Sequence, residues 1–118
     1  MLYCSSALSL ACLEVLVHLA PDQIPPDYVY SPAELRLVAE AADFQGDLAD
    51  QDATRRYGHS WAISLRSLAL LVPSVVIPIE FNVLLNPLHP AYAEVIWNAP
   101  QAFQFDHRLL RGTPGTSR

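Results

Sequence analysis

The segment Val72–Pro90, VPSVVIPIEFNVLLNPLHP, constrains this chain more than any other part of it. A β-branched run is bracketed by prolines and closes on Asn-Pro-x-His-Pro. Ser74, Glu80, Asn82, Asn86 and His89 punctuate it at fixed places. A polar group taken out of water costs free energy unless it finds a partner. So many such groups in one apolar stretch point to a site rather than to plain core.

At 118 residues the chain fits one domain, large enough for a single core. Of the 118 residues, 52% are hydrophobic, which excludes disorder as the overall state. The chain has no lysine, seven arginines and a net charge of −5. An acidic chain without a basic stripe argues against nucleic-acid binding through phosphates. No apolar run reaches the roughly 18 residues of a membrane span. The N-terminus has no basic leader, and Glu14 and His18 interrupt its apolar run, so no signal peptide is expected. Cys4 and Cys12 show no metal spacing and read as two buried free thiols in a reducing cytoplasm. The histidines at 18, 59, 89 and 107 have no metal-site spacing either, and no metal is expected.

The expected elements are mixed. Leu2–Cys4 reads as a short strand, followed by a helix capped by Ser5 or Ser6 and running to about Leu19. That helix is apolar on most of its circumference, the mark of a buried helix. Tyr28–Tyr30 reads as a strand. Ser31-Pro32-Ala33-Glu34 looks like a helix start, with a helix or irregular segment to about Ala42. Residues 43–56 read as an acidic surface loop and Gly58–Leu70 as a helix. Val72–Ile79 reads as a buried strand and Phe81–Leu85 as a strand or extended loop. Pro90–Trp97 reads as a short helix, and Phe103 and Phe105 alternate as in a strand. The tail after Leu110 reads as disordered. The class is α+β: a mixed sheet core with flanking helices.

Candidate chemistry starts at Glu14. A carboxylate on a buried helix needs a partner or a cavity. It is either half of an ion pair with an arginine or a site group that stabilises positive charge. His18, one turn on, reads as a helix-end histidine. Ser74 lacks the Gly-x-Ser-x-Gly elbow of hydrolases, which argues against a triad. It reads either as a hydroxyl for a ligand phosphate or ribose or as a serine bonded to backbone. Asn86-Pro87-Leu88-His89-Pro90 is a rigid turn, either a ligand-binding loop or a connector. The four glycines, at 46, 58, 112 and 115, allow no Gly-x-Gly-x-x-Gly and no P-loop.

Four motifs occur in order: Leu-Glu-x-Leu-Val-His at 13–18, Val-Pro-Ser-x-Val-x-Pro-x-Glu-x-Asn at 72–82, Asn-Pro-x-His-Pro at 86–90 and Phe-x-Phe-Asp-x-Arg-Leu at 103–109. Together they resemble the RES domain, the toxin half of bacterial RES–Xre toxin–antitoxin modules. The likeness reaches about Leu110, so residues 1–110 are expected to form the domain and 111–118 a disordered tail. The resemblance implies a fold like that of ADP-ribosyltransferase toxins and an enzyme that consumes NAD⁺ by cleaving the nicotinamide–ribose bond. The ADP-ribosyl group goes to water, to phosphate or to a protein. Glu14 matches the family's glutamate and Ser74 its serine, the expected catalytic pair. Tyr3, Ser74, Asn86 and His89 are the expected NAD⁺ contacts, with Tyr3 placed to stack on nicotinamide. The family's arginine lies upstream of the glutamate, and this chain begins at the strand before the glutamate helix. Either the start is misassigned or the domain is a shortened form, and weak NAD⁺ binding and low turnover are expected of this form. Neither Arg55 nor Arg66 sits in a matching motif. The resemblance also implies a cytoplasmic protein and a partner antitoxin with an Xre-like helix-turn-helix domain. A shortened, inactive form would serve as an antitoxin-binding module. A surface with few charges for its size adds the expectation of a homodimer.

Overall fold

The computed structural model describes residues 1–36 and 39–110. Its centre is a four-stranded mixed sheet of β1 (Leu2–Ser5), β4 (Glu40–Ala41), β5 (Ala69–Pro73) and β6 (Phe81–Leu85), in the order β1-β6-β5-β4. β6 pairs antiparallel with both β1 and β5, and β4 runs parallel to β5. Two short ribbons join β2 (Val29–Tyr30) to β8 (Gln101–Ala102) and β3 (Ala33–Glu34) to β7 (Ile96–Trp97). Two helices accompany these strands, α1 (Leu8–His18) and α2 (Gln51–Ser64), so the class is α+β.

Register decides which side chains share a face. Tyr3, Leu84 and Leu70 form one cross-strand row, and Ser5, Asn82 and Val72 the next. Side chains alternate along a strand with period two, so both rows stand on the same face. Trp61 of α2 packs with Leu70 and Leu84 on that face, with Tyr57, Ala62 and Val72 against them. Trp61 is 1% exposed, and its indole N–H donates to Ser67 Oγ at 2.8 Å. Ser67 Oγ in turn donates to Glu40 Oε1 at 2.8 Å, and Arg66 grips the same carboxylate through Nε and Nη2. The Arg66 guanidinium holds the Glu40 carboxyl below its ordinary value.

Helix α2 starts earlier than Gly58 because Asp50 caps it, accepting from the Ala53 N–H. It stops at Ser64 because Leu65 turns into the left-handed region, with φ 54°. Leu68, Ala69 and Leu70 then go into the core as the start of β5, not as the end of a helix. The acidic loop is correspondingly shorter than 43–56, since its last six residues belong to α2.

Other sequence expectations are corrected by pairing that local patterns do not encode. The Pro32-led helix is replaced by β3 and β4. Ala33 and Glu34 are held by Trp97 and Ile96, and the Asn98 N–H donates to Pro32 O. Pro90–Trp97 is a 3-10 segment, Pro90–Glu94, followed by β7. Phe103 and Phe105 follow β8 instead of forming a strand. They pack edge-on to each other at 5.0 Å and against Tyr30 and Tyr28. The stretch read as one strand from Val72 to Ile79 ends at Pro73, which carries no N–H to continue a ladder. Helix α1 is not buried all round: Leu10 is fully covered, whereas Val17 is 62% exposed. Its expected serine cap is also absent. Ala7 occupies the cap position without a side-chain bond, and Ser5 Oγ donates to Asn82 instead. Cys4 and Cys12 are free and only partly covered, and burial raises both thiols above their ordinary value. The expected tail, residues 111–118, lies outside the described residues.

Candidate active site

The site assembles where β5 ends and β6 begins. Ser74 follows Pro73 and is wholly buried. Its Oγ accepts from the Val76 and Ile77 N–H groups at 3.1 and 3.0 Å, and its own N–H donates to Glu80 O. The serine therefore builds the turn from 74 to 80, whose outer residues Val75 and Ile79 are 65% and 88% exposed. Glu80 is exposed on this turn and is not one of the buried polar groups. With two acceptor positions occupied by the turn, the Ser74 hydroxyl hydrogen is directed to Glu14 Oε1 at 3.2 Å.

Glu14 sits in the second turn of α1 and is half-buried. Its Oε1 also accepts from Asn82 Nδ2 at 3.3 Å. Asn82 is 1% exposed, and its Oδ1 accepts from Ser5 Oγ at 2.8 Å. Ser5, Asn82, Glu14 and Ser74 thus form one connected line across β1, β6, α1 and the turn. Among the described residues no cation lies within ion-pair distance of Glu14. Both contacts to its Oε1 are long for their type, so they orient the carboxylate without neutralising it.

Tyr3 stands on the same sheet face as Asn82. Burial and the nearby Glu14 charge raise its phenol above the ordinary value, and a hydrogen bond with Asn82 opposes them. Asn86 and His89 are placed differently. Asn86 is buried, donating to Ala62 O and accepting from the Leu88 N–H. His89 Nδ1 accepts from the Ala91 N–H and caps the 3-10 segment. These bonds shape the loop, and none joins the Glu14 cluster. Asn82 belongs to that cluster although its sequence position singled it out only as a polar group in an apolar strand. The available signal was the Glu-x-Asn spacing at 80–82, where alternation puts Asn82 on the face of Leu84.

Two cavities adjoin this end of the sheet, and Tyr3 borders both. One, about 300 Å³, lies between α2 and the sheet. Pro73 and Val75, the neighbours of Ser74, line it, as do Tyr57 and Arg55. The other, about 500 Å³, is bordered by Cys4, Ala11, Tyr30 and Trp97. Glu14, Ser74 and Asn82 line neither cavity wall; Tyr3, which feels the Glu14 charge, lines both.

A RES domain family model matches residues 1–106. The chain belongs to the RES domain family. Relatives agree with that assignment. The Prs ADP-ribosylating toxin of Sphingobium sp. is 34% identical over 122 residues, covering 92% of this chain and 74% of that protein. A Toxin Res of Yersinia enterocolitica is 33% identical, covering 92% of this chain and 76% of the relative. Another, from Photorhabdus laumondii, is 30% identical over 92% of this chain and 75% of its own length. In this RES domain, Glu14 from the first motif meets Ser74 and Asn82 from the second, 60 and 68 positions away. The third motif serves the loop beside them. The fourth packs its two phenylalanines on the β2–β8 ribbon. Among the described residues no helix is long and apolar enough to cross a membrane, and no three His, Cys, Asp or Glu groups converge.

Proposed function

We propose that this RES domain is a toxin that consumes NAD⁺ by cleaving the nicotinamide–ribose bond. The supporting observation is the Glu14 carboxylate, half-buried, held by two neutral donors and left without a cation among the described residues. Loss of nicotinamide develops oxocarbenium charge on the ribose, as in glycoside cleavage. A fixed carboxylate in a site of low dielectric stabilises that charge as it forms. Ser74 and Asn82 hold the carboxylate, and Tyr3 offers an aromatic face beside it. The acceptor is water or phosphate.

A second reading, transfer of ADP-ribose to a protein, is favoured by the name of the Sphingobium relative. The relatives named Toxin Res support pairing with an antitoxin, proposed here to carry a helix-turn-helix domain and to meet this chain in the cytoplasm. If the chain is inactive, antitoxin binding is what remains of the function. The expected homodimer is kept as part of the proposal. Labelled NAD⁺ separates these outcomes. With cell extract and phosphate present, label is expected in ADP-ribose or its 1″-phosphate, and Glu14→Ala should abolish it. Label on a protein band would instead establish transfer. No NAD⁺ loss, with antitoxin binding retained, would leave a binding module.

A further inference from the structure

The described arginines differ in what they hold. Arg66 is bound to Glu40 at 2.7 Å and Arg108 to Asp106 at 2.8 Å. Arg55 has no ion-pair partner among the described residues, and it borders the cavity of about 300 Å³ between α2 and the sheet. The nearby carboxylates of Asp47 and Asp50 accept from the Ala49 and Ala53 N–H groups. Phe44, Tyr57 and Leu70 supply apolar and aromatic wall. Tyr3, whose phenol feels the Glu14 charge, and Pro73 and Val75, which flank Ser74 in sequence, line the same cavity. One cavity wall thus combines residues that flank the carboxylate cluster with an arginine that has no ion-pair partner among the described residues. The cavity's size is at the lower end for a small-molecule site, and its lining is of the usual kind: apolar walls with one placed charge.

We propose that this cavity is the subsite for the phosphate-bearing part of the dinucleotide, with Arg55 as its anion contact. The inference rests on the NAD⁺ reading above. A guanidinium offers a planar pair of N–H donors to phosphate oxygens, and such charge-assisted bonds are strong. The aromatic wall suits the sugar and base attached to that phosphate. Arg56, next in sequence, does not line the cavity and serves as the control.

Calorimetric binding of ADP-ribose to the full chain tests this, with adenosine as the phosphate-free probe. Arg55→Gln is expected to weaken ADP-ribose roughly tenfold or more. Arg56→Gln should leave it unchanged, and adenosine should not distinguish the variants. Arg55→Lys keeps the charge but loses the fork, so it should fall between. Unchanged affinity in Arg55→Gln, equal losses at Arg55 and Arg56, or no binding of ADP-ribose to the wild-type chain would each overturn the subsite. The parent reading is judged separately, by nicotinamide release. NAD⁺ cleavage with the same KM in Arg55→Gln rejects the subsite alone. Arg55-dependent ADP-ribose binding without any NAD⁺ cleavage rejects the cleavage reading alone.

Discussion

Ser74 and Asn82 show how single residues tie structure to chemistry. Each is buried: the Ser74 hydroxyl accepts from its own turn and donates to Glu14, and Asn82 accepts from Ser5 through Oδ1 and donates to Glu14 through Nδ2. Ser74→Ala would strand the Val76 and Ile77 N–H groups, so a loss of about 1–3 kcal/mol is expected in urea unfolding. An unchanged midpoint would mean that the turn does not depend on the hydroxyl. Tyr3 reports on Glu14 in the folded protein. The Glu14 charge contributes to raising the phenol, so Glu14→Gln should bring its titration down toward the ordinary value. Tyrosine-labelled NMR titration checks this, and an unmoved Tyr3 resonance would separate the two groups. Glu14 and Ser74 were legible in the sequence because an ionisable or polar residue inside an apolar element is anomalous on its own. Asn82 was less so, because its meaning depends on β1 lying beside β6 and on α1 crossing their end.

Among the elements, α2 carries two opposite tests. Gly58 is inside the helix, and a methyl placed there would lie 3.4 Å from the flexible end of Met1. Gly58→Ala should therefore stabilise the fold by about 0.5–1 kcal/mol in thermal unfolding; destabilisation would show that Met1 cannot move aside. The Glu40–Arg66–Ser67 tie gives a pH dependence. The Glu40 pKa lies below 4.5 when folded, chiefly through its bond to Arg66. Its stabilising contribution is present above the unfolded value and is lost as pH falls through the folded value. The Arg66 side chain is about half exposed, so solvent screens the pair and the effect is small. Its readout is the Trp61 indole resonance, which should shift below about pH 4.5 in the wild-type chain and not in Glu40→Gln. The same elements show where sequence reading ran out. β6 was legible because five apolar-rich residues follow a turn signal. β3 and β4 were not, because two-residue strands exist only through their partners. The start of α2 was missed because Asp50 stands within a run of acidic residues that looks like loop.

For the whole molecule, the α+β class and the RES domain family were both legible, since four ordered motifs span most of the chain. Their spatial meaning was not. Only the fold shows the first two motifs meeting at the end of the sheet while the third and fourth support the surrounding frame. It also separates Arg66 and Arg108, held in ion pairs, from Arg55, which lines a cavity. The central claim concerns the Glu14 carboxylate, and the most direct measurement is the rate of nicotinamide release from NAD⁺. Wild type should be compared with Glu14→Gln, which keeps the side chain's shape and removes its charge. The account predicts release by the wild-type chain and a loss of roughly a hundredfold or more in kcat in a variant that stays folded, as for removal of one transition-state charge contact. Equal rates for the two folded proteins would contradict it.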